Sequence, residues 1–157
     1  MPETIEAGQD ARGLRFAIVA SRYHETACEN LLSSAVASLQ ERGALVTDIT
    51  VVRVPGSWEI PLAARRVALS GQHDAIVALG VLIRGETAHF DLIAAEVARG
   101  LAAASFESGV PIAFGVIAAE NVEQVLARTG GVFGNRGREA ALAAIEAAGV
   151  MKRLEGV

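Results

Sequence analysis

The stretch Ala75-Ile76-Val77-Ala78-Leu79-Gly80-Val81-Leu82-Ile83-Arg84-Gly85-Glu86-Thr87-Ala88-His89-Phe90-Asp91 decides the architecture of this chain. Its first half, Ala75 to Leu82, is a run of small and β-branched apolar residues, the pattern of a strand buried on both faces. It breaks at Arg84-Gly85, and an alanine-rich stretch of helical spacing then runs from Thr87 to Phe106. A strand that feeds a helix is half of a βαβ unit, with parallel strands and a right-handed crossover. In open sheets of this kind ligands bind beyond the carboxyl ends of the strands, where the unpaired N–H groups of helix N-termini attract anions. His89 is expected one helical turn inside that site, where a histidine can move protons beside a bound phosphate or carboxylate.

The same alternation continues in both directions. Upstream, Phe16-Ala17-Ile18-Val19-Ala20 has strand length, and Thr26 to Arg42 follows with Ala27, Leu31, Leu32, Ala35 and Leu39 at helical intervals. Gly43 ends that helix. Val46 to Val54 reads as a strand, Pro55-Gly56 breaks it, and Ser57 is placed to cap a helix from Trp58 to Leu69. Downstream come a fourth strand, Pro111 to Ile117, a short helix, Asn121 to Ala127, and a last helix, Glu139 to Ala148. The pattern specifies an α/β fold of three layers, α/β/α, with a four-stranded, mainly parallel sheet. Residues 1–157 read as one domain without an internal repeat. Residues 1–12, polar and glycine-containing, are either a tail or an arm that needs a partner.

Composition narrows the class. Hydrophobic residues make up 52% of the 157 and charged residues 20%, with mean hydropathy at +0.37. That is apolar for a soluble monomer, so part of the surface is expected to be buried against other copies. Polar residues interrupt every apolar run short of the ~18–20 residues of a membrane span. The acidic start, Met1-Pro2-Glu3-Thr4-Ile5-Glu6, lacks the basic-then-apolar layout of a signal peptide. One cysteine, Cys28, excludes an internal disulfide and suits a reducing cytoplasm. A net charge of −4 with scattered basic residues gives no footprint for nucleic acid.

Topology gathers several chemical groups on one rim. Ser21-Arg22-Tyr23-His24 follows the first strand, Pro55-Gly56-Ser57-Trp58-Glu59 the second, Arg84 to His89 the third, and Phe114-Gly115 lies on the fourth. In isolation each has a plainer meaning. Glu59 in a first helical turn complements the macrodipole, Trp58 packs, His24 and His73 are solvated, and Cys28 is a small core residue. Three histidines without partners at ligand spacing make no metal site. No serine sits in a Gly-x-Ser-x-Gly elbow. Gly131, Gly134 and Gly137 are spaced Gly-x-x-Gly-x-x-Gly after a helix rather than a strand, so they are not a dinucleotide fingerprint. They form either a flexible connector or a turn that delivers Arg136, with Arg128 close before it, to an anion.

Together these segments resemble the signature blocks of the 6,7-dimethyl-8-ribityllumazine synthases. The blocks are Val54-Pro55-Gly56-Ser57-Trp58-Glu59-Ile60-Pro61, Gly80 to Asp91, Phe114-Gly115-Val116, Glu123 to Arg128 and Gly134-Asn135-Arg136-Gly137. The resemblance runs in order from about Gly13 to the C-terminus. It implies a flavodoxin-like fold and the condensation of 5-amino-6-ribitylaminouracil with 3,4-dihydroxy-2-butanone 4-phosphate, which releases phosphate and water. This is the penultimate step of riboflavin biosynthesis, and it uses neither metal nor organic cofactor.

Carried over residue by residue, the resemblance implies that Tyr23 stacks on the pyrimidine and that Gly56, Ser57, Trp58 and Glu59 form the ribityl-binding turn. Backbone groups from Val81 through Leu82 to Ile83 meet the uracil edge. Gly85, Glu86 and Thr87 present helix N-terminal N–H groups to the phosphate, with Arg128 as its cationic partner and Arg136 nearby. His89 carries protons, and Phe114 is lent by a neighbouring subunit. Two positions depart from the familiar pattern: Arg136 replaces the lysine of Asn-Lys-Gly, and Tyr23 replaces phenylalanine or tryptophan. Arginine keeps the charge but cannot release its proton, and tyrosine keeps the aromatic face.

The resemblance also implies a pentamer in which the N-terminal arm adds a strand to the adjacent sheet. The short Arg128–Gly137 link suits members that join pentamers into a hollow icosahedral shell of ~60 copies. Riboflavin synthase is a candidate partner. Two rivals of other classes are a non-catalytic flavin or lumazine binder and a cage protein. A pure binder has no need of a proton-carrying histidine.

Overall fold

In the computed structural model, which describes residues 1–157, four strands form one sheet in the order β2-β1-β3-β4, every pair parallel. They are β1 (Phe16–Ser21), β2 (Ile49–Val54), β3 (Ala75–Ile83) and β4 (Ile112–Ala119). Helices α1 (Glu25–Glu41) and α5 (Arg136–Leu154) cover one face, and α2 (Ile60–Leu69) and α3 (His89–Ser108) cover the other. Strand alternation drives this layering. Phe16, Ile18 and Ala20 of β1 join Val77, Leu79 and Val81 of β3 in the core under α1 and α5. The intervening Ala17, Val19, Ile76 and Ala78 pack with Ile60, Ala64, Val97 and Leu101 under α2 and α3. Both faces of the two central strands are therefore dry, as a doubly covered parallel sheet requires. The expected three-layer, flavodoxin-like α/β architecture is present.

Several boundaries depart from the sequence reading, each for a local reason. Val46–Asp48 is a 3-10 turn rather than the start of β2, with the Asp48 N–H donating to the Leu45 carbonyl at 2.9 Å. Pairing with β1 begins only at Phe16 opposite Ile49, so these β-branched residues have no strand to join. Ser57 does not cap α2. A 3-10 turn, Ser57–Glu59, precedes that helix, and the Glu59 carboxylate accepts the Gly56 N–H at 3.0 Å. Helix α3 begins at His89 rather than Thr87 and stops where Gly109 takes φ +75°, the left-handed conformation that glycine adopts without cost.

The glycine-rich link is an ordered hairpin, with β5 (Thr129–Gly131) antiparallel to β6 (Gly134–Asn135) after the short helix α4 (Val122–Ala127). Helix α5 accordingly starts three residues earlier than its spacing suggested and ends later. Asn135 caps it by accepting the N–H groups of Gly137 at 2.8 Å and Arg138 at 3.3 Å. Gly137 is the only residue type that fits there, because a Cβ would collide with the Leu31 carbonyl of α1.

Residues 1–10 belong to no helix or strand, yet Ile5, Ala7 and Gln9 alternate with more exposed neighbours up to the fully buried Ala11. Ala7 packs on Gly149 of α5, and Gln9 donates to Glu146 at 3.1 Å. This is an extended arm with most of its backbone unpaired.

Candidate active site

The carboxyl ends of β1, β2 and β3 open on a cavity of about 400 Å³. The β1 end is tied to the β2 end, since the Arg22 and Tyr23 N–H groups donate to Val54 and Pro55 carbonyls at 2.9 and 3.0 Å. This presents the Tyr23 ring, 70% exposed, to the cavity. Gly56, Ser57 and Trp58 form the opposite wall. Their close approach to β3 depends on Gly80, where a Cβ would sit 2.7 Å from Ser57 Oγ and 2.9 Å from Ile60 Cδ1. The Ser57 hydroxyl is buried inward without a hydrogen-bond partner, so this residue offers the cavity its backbone rather than its side chain. Val81, Leu82 and Ile83 form the floor.

The β3–α3 turn closes the cavity with Gly85, Thr87 and His89. Because α3 starts at His89, the imidazole sits at the first helical residue and not one turn inside, as the spacing had suggested. Gly85, Glu86 and Thr87 therefore precede the helix. The Thr87 hydroxyl accepts the His89 N–H at 3.4 Å. Arg84 anchors the turn: its backbone N–H donates to the Ala119 carbonyl at 2.8 Å. Its guanidinium reaches Glu120 at 2.9 Å and Asp91 at 3.0 Å and lies over the Phe90 ring at 4.5 Å. These carboxylates hold the Arg84 pKa above its ordinary value, Glu120 most strongly.

A second, smaller concavity of about 210 Å³ lies on β4 and beside the hairpin, lined by Phe114, Val116, Ile117, Ala118, Arg128 and Arg136. The hairpin sets the two arginines side by side, the Arg136 N–H donating to the Arg128 carbonyl at 2.8 Å. Arg136 is paired with Glu139 at 2.9 Å. Arg128 has no carboxylate partner; it donates to the Gln124 carbonyl at 3.0 Å and stacks over Phe133 at 4.9 Å. It is the free cation of this hollow.

The sequence-derived set thus divides. Tyr23, Gly56, Ser57, Trp58, Val81, Leu82, Ile83, Gly85, Thr87 and His89 share the first cavity. Phe114, Arg128 and Arg136 share the second. Arg128 thus lines a different cavity from Gly85 and Thr87 of the turn with which it is expected to share the phosphate. Glu59 and Glu86 line neither cavity, and Glu59 is engaged in holding its own turn.

Sequence reasoning missed His24, Phe90 and Ile93, which also line the first cavity. Phe90 and Ile93 were findable, since Phe90 follows His89 directly and Ile93 lies one helical turn beyond it on the same side of α3. His24 and His73, read as solvated, are half-buried, and burial pushes both pKa values down. Cys28 is buried as expected; its thiol donates to the Tyr23 carbonyl at 3.2 Å, and burial pushes its pKa up.

A doubly wound α/β chain with an exposed aromatic ring, a glycine turn and a histidine at a helix start, all on one rim, has the flavodoxin-like architecture with a cavity of small-molecule size. More closely, this chain belongs to the 6,7-dimethyl-8-ribityllumazine synthase family, whose profile matches residues 13–152. It is 52% identical over 144 residues to the 6,7-dimethyl-8-ribityllumazine synthase of Aquifex aeolicus (strain VF5), covering 92% of this chain and 94% of that one. The enzyme of the same name from Nitratidesulfovibrio vulgaris (strain DP4) is 46% identical over 152 residues, 97% of each chain. That of Chlorobaculum tepidum is 45% identical over 152 residues, covering 97% of this chain and 98% of that one.

Proposed function

We infer that the first cavity condenses 5-amino-6-ribitylaminouracil with 3,4-dihydroxy-2-butanone 4-phosphate to 6,7-dimethyl-8-ribityllumazine, releasing phosphate and water. The protein is then a transferase of riboflavin biosynthesis acting at its penultimate step. The observation that carries this reading is the convergence of Tyr23, the Gly56–Trp58 turn and His89 on one cavity, in a chain matched by the family from residue 13 to 152.

The pyrimidine stacks on Tyr23, the ribityl chain lies along Gly56–Trp58, and backbone groups of Val81 to Ile83 read the uracil edge. His89 moves protons as the amine adds to the ketone and as phosphate leaves. Both reactants are reactive in water, so most of the work is orientation, which removes up to ~7–11 kcal/mol of barrier in favourable cases. A placed histidine adds roughly 10²–10⁴-fold. A non-catalytic flavin binder is not favoured, because nothing in binding calls for a proton carrier such as His89.

The two concavities act as halves of one site joined between copies. Phe114 and Arg128, with Arg136 beside them, face the first cavity of a neighbour, Phe114 closing over the ring and Arg128 meeting the phosphate opposite Gly85, Glu86 and Thr87. The unpaired arm supplies a strand to the open β2 edge of the adjacent sheet, as extended segments do when they augment an edge. The assembly is a pentamer, and the short hairpin between Arg128 and Gly137 suits a shell of ~60 copies. Its location is the cytoplasm, and no helix is long and apolar enough to cross a membrane.

Mixing the two substrates with purified protein and following lumazine absorbance tests the activity; no product above the uncatalysed rate overturns it. Light scattering tests the assembly. A five-subunit mass removes the shell, and a one-subunit mass removes the shared site.

A further inference from the structure

His24 is the only non-glycine residue with positive φ, at φ 62° and ψ 58°, and it stands immediately after the exposed ring platform. Histidine is among the few side chains that tolerate this left-handed region, yet a position needing only that backbone is served as well by asparagine or glycine. What distinguishes histidine is its ring. The His24 and Tyr23 ring centroids are 4.6 Å apart with planes at 65°, an edge-to-face pair. The imidazole is half-buried between the first cavity and a second groove formed by α1, Ile83 and α4, lining both. It makes no hydrogen bond or ion pair; the Tyr23 ring is its aromatic contact. Desolvation holds it below its ordinary pKa and favours the neutral ring.

Tyr23 needs such support. Its side chain is 70% exposed and its hydroxyl makes no hydrogen bond, so an unbraced ring would lose rotamer freedom each time a ligand stacked on it. We propose that His24 is a positioning residue, whose left-handed backbone sets its imidazole edge-to-face with Tyr23 and holds that ring in the plane on which the pyrimidine stacks. This rests on the reading of the first cavity as the pyrimidine site.

The test separates backbone from ring. His24→Asn keeps the left-handed preference and loses the ring, whereas His24→Phe keeps a ring on an unfavourable backbone. The readouts are the affinity for 5-amino-6-ribitylaminouracil titrated alone by calorimetry, the two Michaelis constants, and the melting temperature. Edge-to-face pairs of this kind make His24→Asn bind the pyrimidine about three- to tenfold more weakly. Its Michaelis constant for the butanone phosphate and its melting temperature should stay close to the parent's. His24→Phe should melt lower and retain pyrimidine affinity. Parent-like affinity in His24→Asn, or loss of affinity in a folded His24→Phe, overturns the proposal. Tyr23→Ala is the control for the underlying reading. If it leaves pyrimidine affinity intact, the site assignment falls and the proposal with it. If Tyr23→Ala weakens binding and His24→Asn does not, only the role of His24 falls.

Discussion

The two hollows differ in how they are made. The larger is assembled from the ends of three neighbouring parallel strands, and its walls are held by short-range devices: the Glu59 cap on Gly56, the missing Cβ of Gly80, the Arg84 clamp on the β3–α3 turn. It has a ring, a floor and a histidine but no unpaired cation. The smaller is built from the edge strand β4 and the hairpin, and it holds the free cation Arg128 beside the half-exposed Phe114. Each lacks what the other has. The first has a ring and a histidine without a free cation, the second a free cation without a histidine, and the interface proposed above is what brings the two together.

The strongest test of that contrast is complementation. His89→Ala and Arg128→Ala homo-oligomers should each lose most activity. Co-assembled from equal parts, they should recover activity in roughly a quarter of the sites, those pairing an intact His89 with a neighbour's intact Arg128 in a head-to-tail interface. No recovery in a verified mixed oligomer would place both residues in one chain's site.

Next in size is the split in the kinetics. His89→Ala should lower turnover by about 10²-fold, within the range for a placed acid–base group, with little change in pyrimidine affinity. Arg128→Ala should raise the Michaelis constant for the butanone phosphate by roughly 10–100-fold, the worth of a charge-assisted contact to an anion, and leave the pyrimidine constant nearly unchanged. An equal effect on both substrates would mean that Arg128 only supports the hairpin through the Gln124 carbonyl and the Phe133 ring.

The ring platform comes third. Tyr23→Ala should weaken pyrimidine binding by about tenfold, and Tyr23→Phe should be nearly silent because the hydroxyl has no partner. If the phenylalanine variant fails as badly as alanine, the hydroxyl touches the ligand.

The smallest effect concerns pH. His73 has a buried, unpartnered Nδ1, and burial, with Arg15 adding to it against the opposing Asp74, holds its pKa below the ordinary value; burial alone does so for His24. A histidine kept neutral in the fold contributes stability that is complete above its unfolded pKa of about 6.5 and is lost as pH falls below it. The melting temperature should therefore decline modestly from pH 6.5 to 5. His73→Gln should flatten part of that decline, and an unchanged slope would assign it elsewhere.

Much of the cavity was legible in the chain because a parallel sheet places all its strand ends on one rim. Tyr23, Gly56, Val81 and His89 could be assigned to that rim from order alone. The exact start of a helix was not legible, because it depends on which backbone group finds a partner. Glu59 reaches Gly56 and displaces Ser57 as the cap, and Asn135 begins α5 ahead of the apolar periodicity. Val46–Asp48 looked like strand because β-branched residues favour strands, but β1 offers nothing to pair with before Ile49.

By itself the sequence determined the layers, the mainly parallel sheet and the chemistry available on the rim, since hydrophobic period and residue type are local properties that the folded state inherits. Only the tertiary structure decided which of those residues meet. It turned the Ser57 hydroxyl inward, set His24 in a left-handed corner against Tyr23, and put Arg128 and Phe114 in a different cavity from His89. The reason is steric and directional: side-chain encounters depend on strand register, helix phase and single backbone angles that no linear spacing specifies.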